Sequence, residues 1–86
     1  MNLTVPFWFQ QRQGKAEPAG TNAYQLTAPN LKPALISIAN GDNGLWSAAL
    51  ALEKGGPSLA ATSAEYPSPQ AAWEAAFELY RQHIVI

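Results

Sequence analysis

Few side chains in this sequence are equipped for chemistry. His83 is the single histidine, cysteine is absent, and the acids are Glu17, Asp42, Glu53, Glu65, Glu74 and Glu78. An imidazole working as general acid or base needs a neighbour that sets its tautomer and holds it in place. No nucleophilic Ser or Cys motif accompanies His83. Near the end of a helix a histidine complements the dipole instead, which is a structural role. A hydrolytic carboxylate pair is possible in principle, but nothing in the spacing of the six acids requires one. Glu74 and Glu78 fall on one helical face, yet one histidine and no thiolate make no transition-metal set. The run 40–44 (NGDNG) has the Asx and Gly content of a calcium loop but only one carboxylate, Asp42, and no late bidentate Glu. Neither Gly41/Gly44 nor Gly55/Gly56 precedes the Lys-Ser/Thr of a phosphate loop. The residues thus predict no catalytic group, no metal site and no cofactor.

What stands out is an aromatic cluster, Phe7-Trp8-Phe9, followed by the cations Arg12 and Lys15. Leu3, Val5, Phe7 and Phe9 alternate with Thr4, Pro6 and Trp8, the period of a half-buried strand. With Phe7 and Phe9 turned to a core, strand geometry puts Trp8 on the other side. Pro6 lacks an amide donor and assigns this strand to a sheet edge. There the ring is either covered, by the 10–22 loop or a dimer mate, or exposed, and an exposed Trp beside an open edge is a surface for partner or self pairing. Trp8, Phe9, Arg12 and Lys15 are therefore the candidate partner-binding residues. On this reading Trp8→Ala leaves the fold intact and weakens association.

The remaining elements must hold that edge in place. Residues 10–22 (QQRQGKAEPAGTN) are polar and contain two Gly and a Pro, the composition of an exposed loop. A short strand is expected at 24–28. The run 34–39 (ALISIA) predicts another, then the 40–44 turn, a strand at 45–52 with Trp46, Ala48, Leu50 and Leu52 on one face, a turn at 53–57 (EKGGP), and a strand at 58–66. Ser68 reads as an N-cap with Pro69 at the first helical position. Beyond it Trp73, Phe77, Tyr80 and Ile84, flanked by Ala72, Ala76, Leu79 and His83, make a wide apolar helical face over 68–83. Ala48, Ala49, Ala51, Ala60 and Ala61 are expected to leave room for Trp73 and Phe77. The expected architecture is α+β: an antiparallel β-meander of four to five strands with one C-terminal helix packed on one face, in one domain spanning 1–86.

Composition narrows the partners. Hydrophobic residues make up 48% of the 86, charged residues only 13%, and the formal net charge is −1. Nine aromatics with so little charge argue against disorder. The five Lys/Arg are scattered (Arg12, Lys15, Lys32, Lys54, Arg81), so the basic stripe of a nucleic-acid binder or a polybasic membrane anchor is missing. No apolar run approaches the length of a membrane span, and no basic leader with a long apolar stretch opens the sequence. A cytoplasmic setting is the expectation.

The second half resembles a known family. Gly56, then Leu59-Ala60-Ala61-Thr62-Ser63-Ala64-Glu65-Tyr66-Pro67-Ser68, with Ala71-Ala72 beyond, is similar to the YegP-like small bacterial domains, whose strands lead through a T-S-x-x-Y-x-S segment into a helix. Thr62-Ser63, Tyr66 and Ser68 are the matching letters. The helix opens Pro-Gln where that family usually has a basic residue, and residues 1–33 have no counterpart in it. The resemblance implies a β-meander followed by a packed helix, and it brings no settled activity with it.

Two functional expectations follow. The first is a non-enzymatic protein-interaction module of bacterial or phage type, acting through an aromatic edge strand and able to pair as a homodimer. The second is a single-stranded nucleic-acid-binding module that uses Trp46 or Trp8 on a solvent-facing sheet, with Lys32 and Lys54 on phosphates.

Overall fold

The computed structural model describes residues 5–53 and 56–85. It contains a short helix α1 (Phe7–Gln11), strands β1 (Lys15–Gly20), β2 (Ala23–Thr27), β3 (Ala34–Asn40), β4 (Trp46–Ala51) and β5 (Ser58–Ala61), helix α2 (Pro69–Tyr80), and a π-helical turn Arg81–Val85. The five strands form one antiparallel sheet in the order β1-β2-β3-β4-β5. It is the expected α+β meander with a C-terminal helix on one face.

The period-two pattern of β3 decides which face is covered. Ala34, Ile36 and Ile38 are buried while Leu35 and Ser37 are only half-buried. The register sets Tyr24, Ile36, Leu50 and Ala60 across one row, and Leu26 beside Ala34 in another. Successive side chains on a strand alternate between faces. This face meets Ala72, Trp73, Ala76, Phe77 and Tyr80 of α2, all buried. The opposite face receives Ala23, Gln25 and Thr27 from β2, Leu35, Ser37 and Ala39 from β3, and Ser47, Ala49 and Ala51 from β4. Of the alanines expected to make room for the helix, only Ala48 and Ala60 point towards it; Ala49, Ala51 and Ala61 line the other side.

The turn at 40–44 forms as the sequence suggests. Gly41 N–H donates to the Leu45 carbonyl at 2.7 Å, Leu45 N–H to Asn43 Oδ1 at 3.0 Å, and Gly44 takes φ +80°. At the head of α2, Ser68 Oγ accepts from Ala71 N–H at 3.2 Å, with Pro69 opening the helix. The α-helix stops at Tyr80, so the expected helical span of 68–83 ends in a wider turn that leaves His83 exposed and packs Ile84 and Val85 on the core. The strand expected at 58–66 is shorter. Thr62 N–H still donates to the Ala48 carbonyl at 2.8 Å, but the Ala48 N–H goes to Thr62 Oγ1 at 3.0 Å where a strand would offer a carbonyl, and Tyr66 meets Trp46 as an isolated bridge.

The N-terminal expectation is overturned. Of the strand assigned to Leu3–Phe9, residues 1–4 lie outside the described residues, and Phe7–Gln11 is helical. The physical reason is visible in hindsight: Val5, Trp8 and Phe9 stand at i, i+3 and i+4, a helical stripe as well as a strand pattern, and short apolar runs do not distinguish the two periods. All three pack against the core, and Phe7, expected inside, is 72% exposed. Pro6 serves as the N-cap, where its missing amide costs nothing, instead of marking an edge strand. The exposed loop assigned to 10–22 is also corrected, since it contains β1. That strand is polar because it lies at the edge, and it tolerates Pro18 for the same reason.

Candidate partner-binding groove

The residues expected to bind a partner do not form one surface. Phe9 is 0% exposed, wedged against Phe77 and Tyr80 with ring centroids 5.5 Å from each, and a ring so enclosed touches no partner. Trp8 is half-buried, stacked on Tyr80 at 6.3 Å and edge-on to Phe9 at 5.8 Å. α1 is thus a plug over the C-terminal end of α2, not an edge strand with a free indole. Arg12 and Lys15 are exposed. Lys15, with Gln13, Thr27, Ala28 and Pro29, borders a shallow depression of about 420 Å³ that holds no aromatic ring.

A different surface gathers apolar and charged groups at the same end of the sheet. There β2 runs into β3, β4 turns into β5, and the π-helical turn follows α2. A groove of about 370 Å³ is lined by Asn30, Leu31 and Lys32 from the β2–β3 connection, Leu52 and Leu59 from the β4–β5 hairpin, and His83 and Ile84 from the C-terminal turn. A second hollow of about 270 Å³ continues it along Glu53, Gly56, Pro57 and Ser58, with Leu52 and Leu59 as the shared wall. Leu52 is 44% and Leu59 47% exposed; with Phe7 they are the exposed large hydrophobics among the described residues.

The backbone explains why two leucines stand outside. Leu50 pairs with Ala60 but Ala51 pairs with Ser58, so Leu59 is the extra residue of a β-bulge. A bulge interrupts the alternation and re-aims the side chain it carries. Leu52, expected to continue the Trp46, Ala48, Leu50 face, falls one residue past the end of β4 and leaves the core. At Asn30 a positive φ of 65° reverses the chain and sets Leu31 and Lys32 at the rim.

Electrostatics differ between the two ends of the molecule. Near the groove end are Arg12, Lys15, Lys32 and Arg81, against Glu53 and Glu78. Asp42 and Glu65 are at the opposite end, where Asn43 Nδ2 donates to the Ala64 carbonyl at 3.5 Å. There burial, and then the neighbouring Glu65 carboxylate, push the Tyr66 hydroxyl above its ordinary value. Arg81 is already engaged: its Nε lies 3.1 Å from both carboxylate oxygens of Glu78. That hydrogen bond holds Glu78 below the usual carboxylate range and raises Arg81 in turn. Among the described residues, Lys32 and His83 are therefore the basic side chains that line the groove itself.

From sequence, Leu52 was expected on the core face of its strand, Leu31 and Leu59 had no part in a site, and His83 had a helix-end role. A signal for Leu59 was present: the small-residue run Ser58–Ala61 has one large apolar side chain, next to a turn. Nothing local announces that Leu31 and Ile84 meet it, since they come from distant parts of the chain.

The nucleic-acid expectation loses its platform. Trp46 and Trp8 both pack against the core, and the uncovered sheet face carries no aromatic residue. Among the described residues no group of three or more His, Asp or Glu side chains is placed to hold a metal ion. Among them, too, no helix is long and apolar enough to cross a membrane. Comparison with known proteins gave no match, whether to a family model, a curated protein or a solved structure.

Proposed function

We propose that the chain is a non-catalytic protein-interaction module, acting in the cytoplasm, whose groove between the β4–β5 hairpin and the C-terminal turn docks an amphipathic segment of a partner protein. The observation that carries the reading is the pair Leu52 and Leu59, both close to half exposed and side by side on a bulged edge. Leaving these two leucines nearly half in water forgoes about 0.7–1.5 kcal/mol each relative to full burial, a cost that a covering partner recovers. Lys32 and His83 at the rim favour a segment that carries a carboxylate among its aliphatic side chains. The kinship to YegP-like domains is retained here as a proposal at the level of fold: Thr62 ties to Ala48, Tyr66 pairs with Trp46, and Ser68 caps α2.

A phage-displayed peptide library selected against the chain tests this, with binding mapped by amide chemical shifts. Enriched peptides should combine Leu, Ile or Val with Asp or Glu and should shift Leu31, Lys32, Leu52, Leu59 and Ile84. Leu59→Ser should weaken them roughly ten- to hundredfold, the equivalent of losing one buried leucine. Shifts centred on Phe7 and Trp8, or undiminished binding by Leu59→Ser, would overturn the assignment.

A further inference from the structure

The turn that joins β3 to β4 carries a chemistry of its own. Residues 40–44 (NGDNG) contain two Asn-Gly steps, Asn40-Gly41 and Asn43-Gly44. In such a step the main-chain nitrogen of glycine attacks the asparagine side-chain carbonyl carbon. A C–N bond forms, the side-chain amide leaves as ammonia, and a five-membered succinimide results. Water then opens the ring at either carbonyl, giving aspartate or isoaspartate. Glycine favours the attack because no Cβ crowds its nitrogen. Asn22 and Asn30 precede Ala23 and Leu31 and lack that advantage.

We infer that Asn43 is a site of spontaneous deamidation through a succinimide with Gly44, and that the fold protects Asn40 from the same reaction. Both asparagines are exposed, so access does not separate them; bonding does. Asn40 ends β3 opposite Trp46, its amide nitrogen donating to the Gly41 carbonyl at 3.0 Å and its oxygen accepting from Trp46 Nε1 at 3.2 Å. The nitrogen that would attack it, Gly41 N, donates to the Leu45 carbonyl at 2.7 Å. A Cβ on Gly41 would come within 2.9 Å of Ala64 Cβ, so this peptide is packed as well as bonded. Ring closure at Asn40 needs the hairpin end to come apart. At the second step Gly44 takes φ +80°, and nothing lies within 4 Å of where its Cβ would stand. Its N–H bonds across the turn to the Gly41 carbonyl at 3.0 Å, a restraint that local fluctuation of an exposed turn releases. Asn43 Oδ1 accepts the Leu45 N–H at 3.0 Å, a donor aimed at the oxygen that gains negative charge as the nitrogen adds. The departing Nδ2 is held by a long bond, 3.5 Å from the Ala64 carbonyl. The product carries one more negative charge, beside Asp42 and across from Glu65. As isoaspartate it also adds a carbon to the main chain inside the turn, which loosens the β3–β4 hairpin.

Ageing the wild-type chain at pH 8 and 25 °C tests the inference, with circular dichroism as the check that it stays folded. Peptide mass spectrometry follows each asparagine by its gain of about one mass unit, and electron-transfer fragmentation tells isoaspartate from aspartate. A parallel sample in 6 M guanidinium chloride supplies the unfolded rates. In the folded chain Asn43 should convert at least about tenfold faster than Asn40, and unfolding should bring the two rates together. Conversion should also lower the melting temperature in proportion to the isoaspartate formed. Equal rates in the folded chain, or a faster Asn40, would overturn the inference. So would a folded chain inert at Asn43 while the unfolded one reacts, or a preference for Asn43 that persists unchanged in guanidinium.

Discussion

Tyr80 makes an unusual promise: removing an atom from the middle of the protein should stabilise it. The residue is 0% exposed, and its Oη has no hydrogen-bond partner among the described residues. Its ring is fully used, stacked on Trp8 and edge-on to Phe9. Burying a hydroxyl without a partner costs about 1–3 kcal/mol. Tyr80→Phe keeps the ring and deletes the cost, so a gain of about 1–2 kcal/mol is expected. In a domain of this size each kcal/mol moves the melting temperature by about 4–8 °C, which calorimetry resolves easily. An alkaline titration gives a second, independent readout. Burial raises the Tyr80 hydroxyl above its ordinary value of 10.0, with the nearby Arg12 charge opposing. A raised value means the folded state holds the proton more tightly than the unfolded chain. The associated stability is complete below pH 10 and is lost as pH rises past it, because the unfolded chain ionises first. Wild type should therefore lose stability above pH 10 more steeply than Tyr80→Phe. A lower melting temperature for the variant, or identical alkaline slopes, would refute the account of Tyr80 as a buried orphan.

Other perturbations are as direct. A Cβ at Gly14 would overlap the Phe9 ring, so Gly14→Ala should destabilise by about 1–3 kcal/mol, read as a lower denaturation midpoint in urea, and Phe9→Leu should partly rescue it. Trp8→Ala, expected from sequence to spare the fold, should instead cost about 2 kcal/mol because the ring leans on Tyr80 and Phe9; an unchanged melting temperature would return Trp8 to the surface. Ser68→Ala should cost about 1 kcal/mol by uncapping α2, while Ser68→Asp should keep most of it, both measured by chemical denaturation. Glu78→Gln should remove the part of acid sensitivity that comes from the Arg81 pair, since a lowered carboxylate stabilises above its unfolded value and loses that effect as pH falls.

The sequence was most legible where several local rules agreed. Ser68, Pro69 and the Trp73/Phe77/Tyr80 stripe fix α2 without any tertiary information, and 34–52 reads as a hairpin from its alternation and its NGDNG turn. It was least legible where local rules compete. Val5 to Phe9 satisfies two periods at once, and only the tertiary contact of Phe9 with Phe77 settles which one operates. β1 was hidden by its own position: an edge strand has one neighbour, needs little hydrophobicity and admits proline, so it has the composition of a loop. The groove was invisible for another reason. It depends on a bulge that turns Leu59 and on the meeting of three segments separated along the chain, neither of which has a local signature.

The plug formed by α1 has a kinetic consequence. Phe9 and Phe77 touch although roughly seventy residues separate them, and that loop costs entropy growing as (3/2)RT ln n. The hairpins β2–β3 and β3–β4 close far shorter loops. Local pairing and the docking of α2 on the sheet are therefore expected to come first, with α1 clicking into place last. The same contact makes α1 the natural first element to open, and its release uncovers Tyr80 and Phe77 together. Opening at one end of the sequence is thereby felt at the other: Phe77 and Tyr80, near the end of α2, lose their ring contacts with Phe9 and Trp8 when α1 leaves.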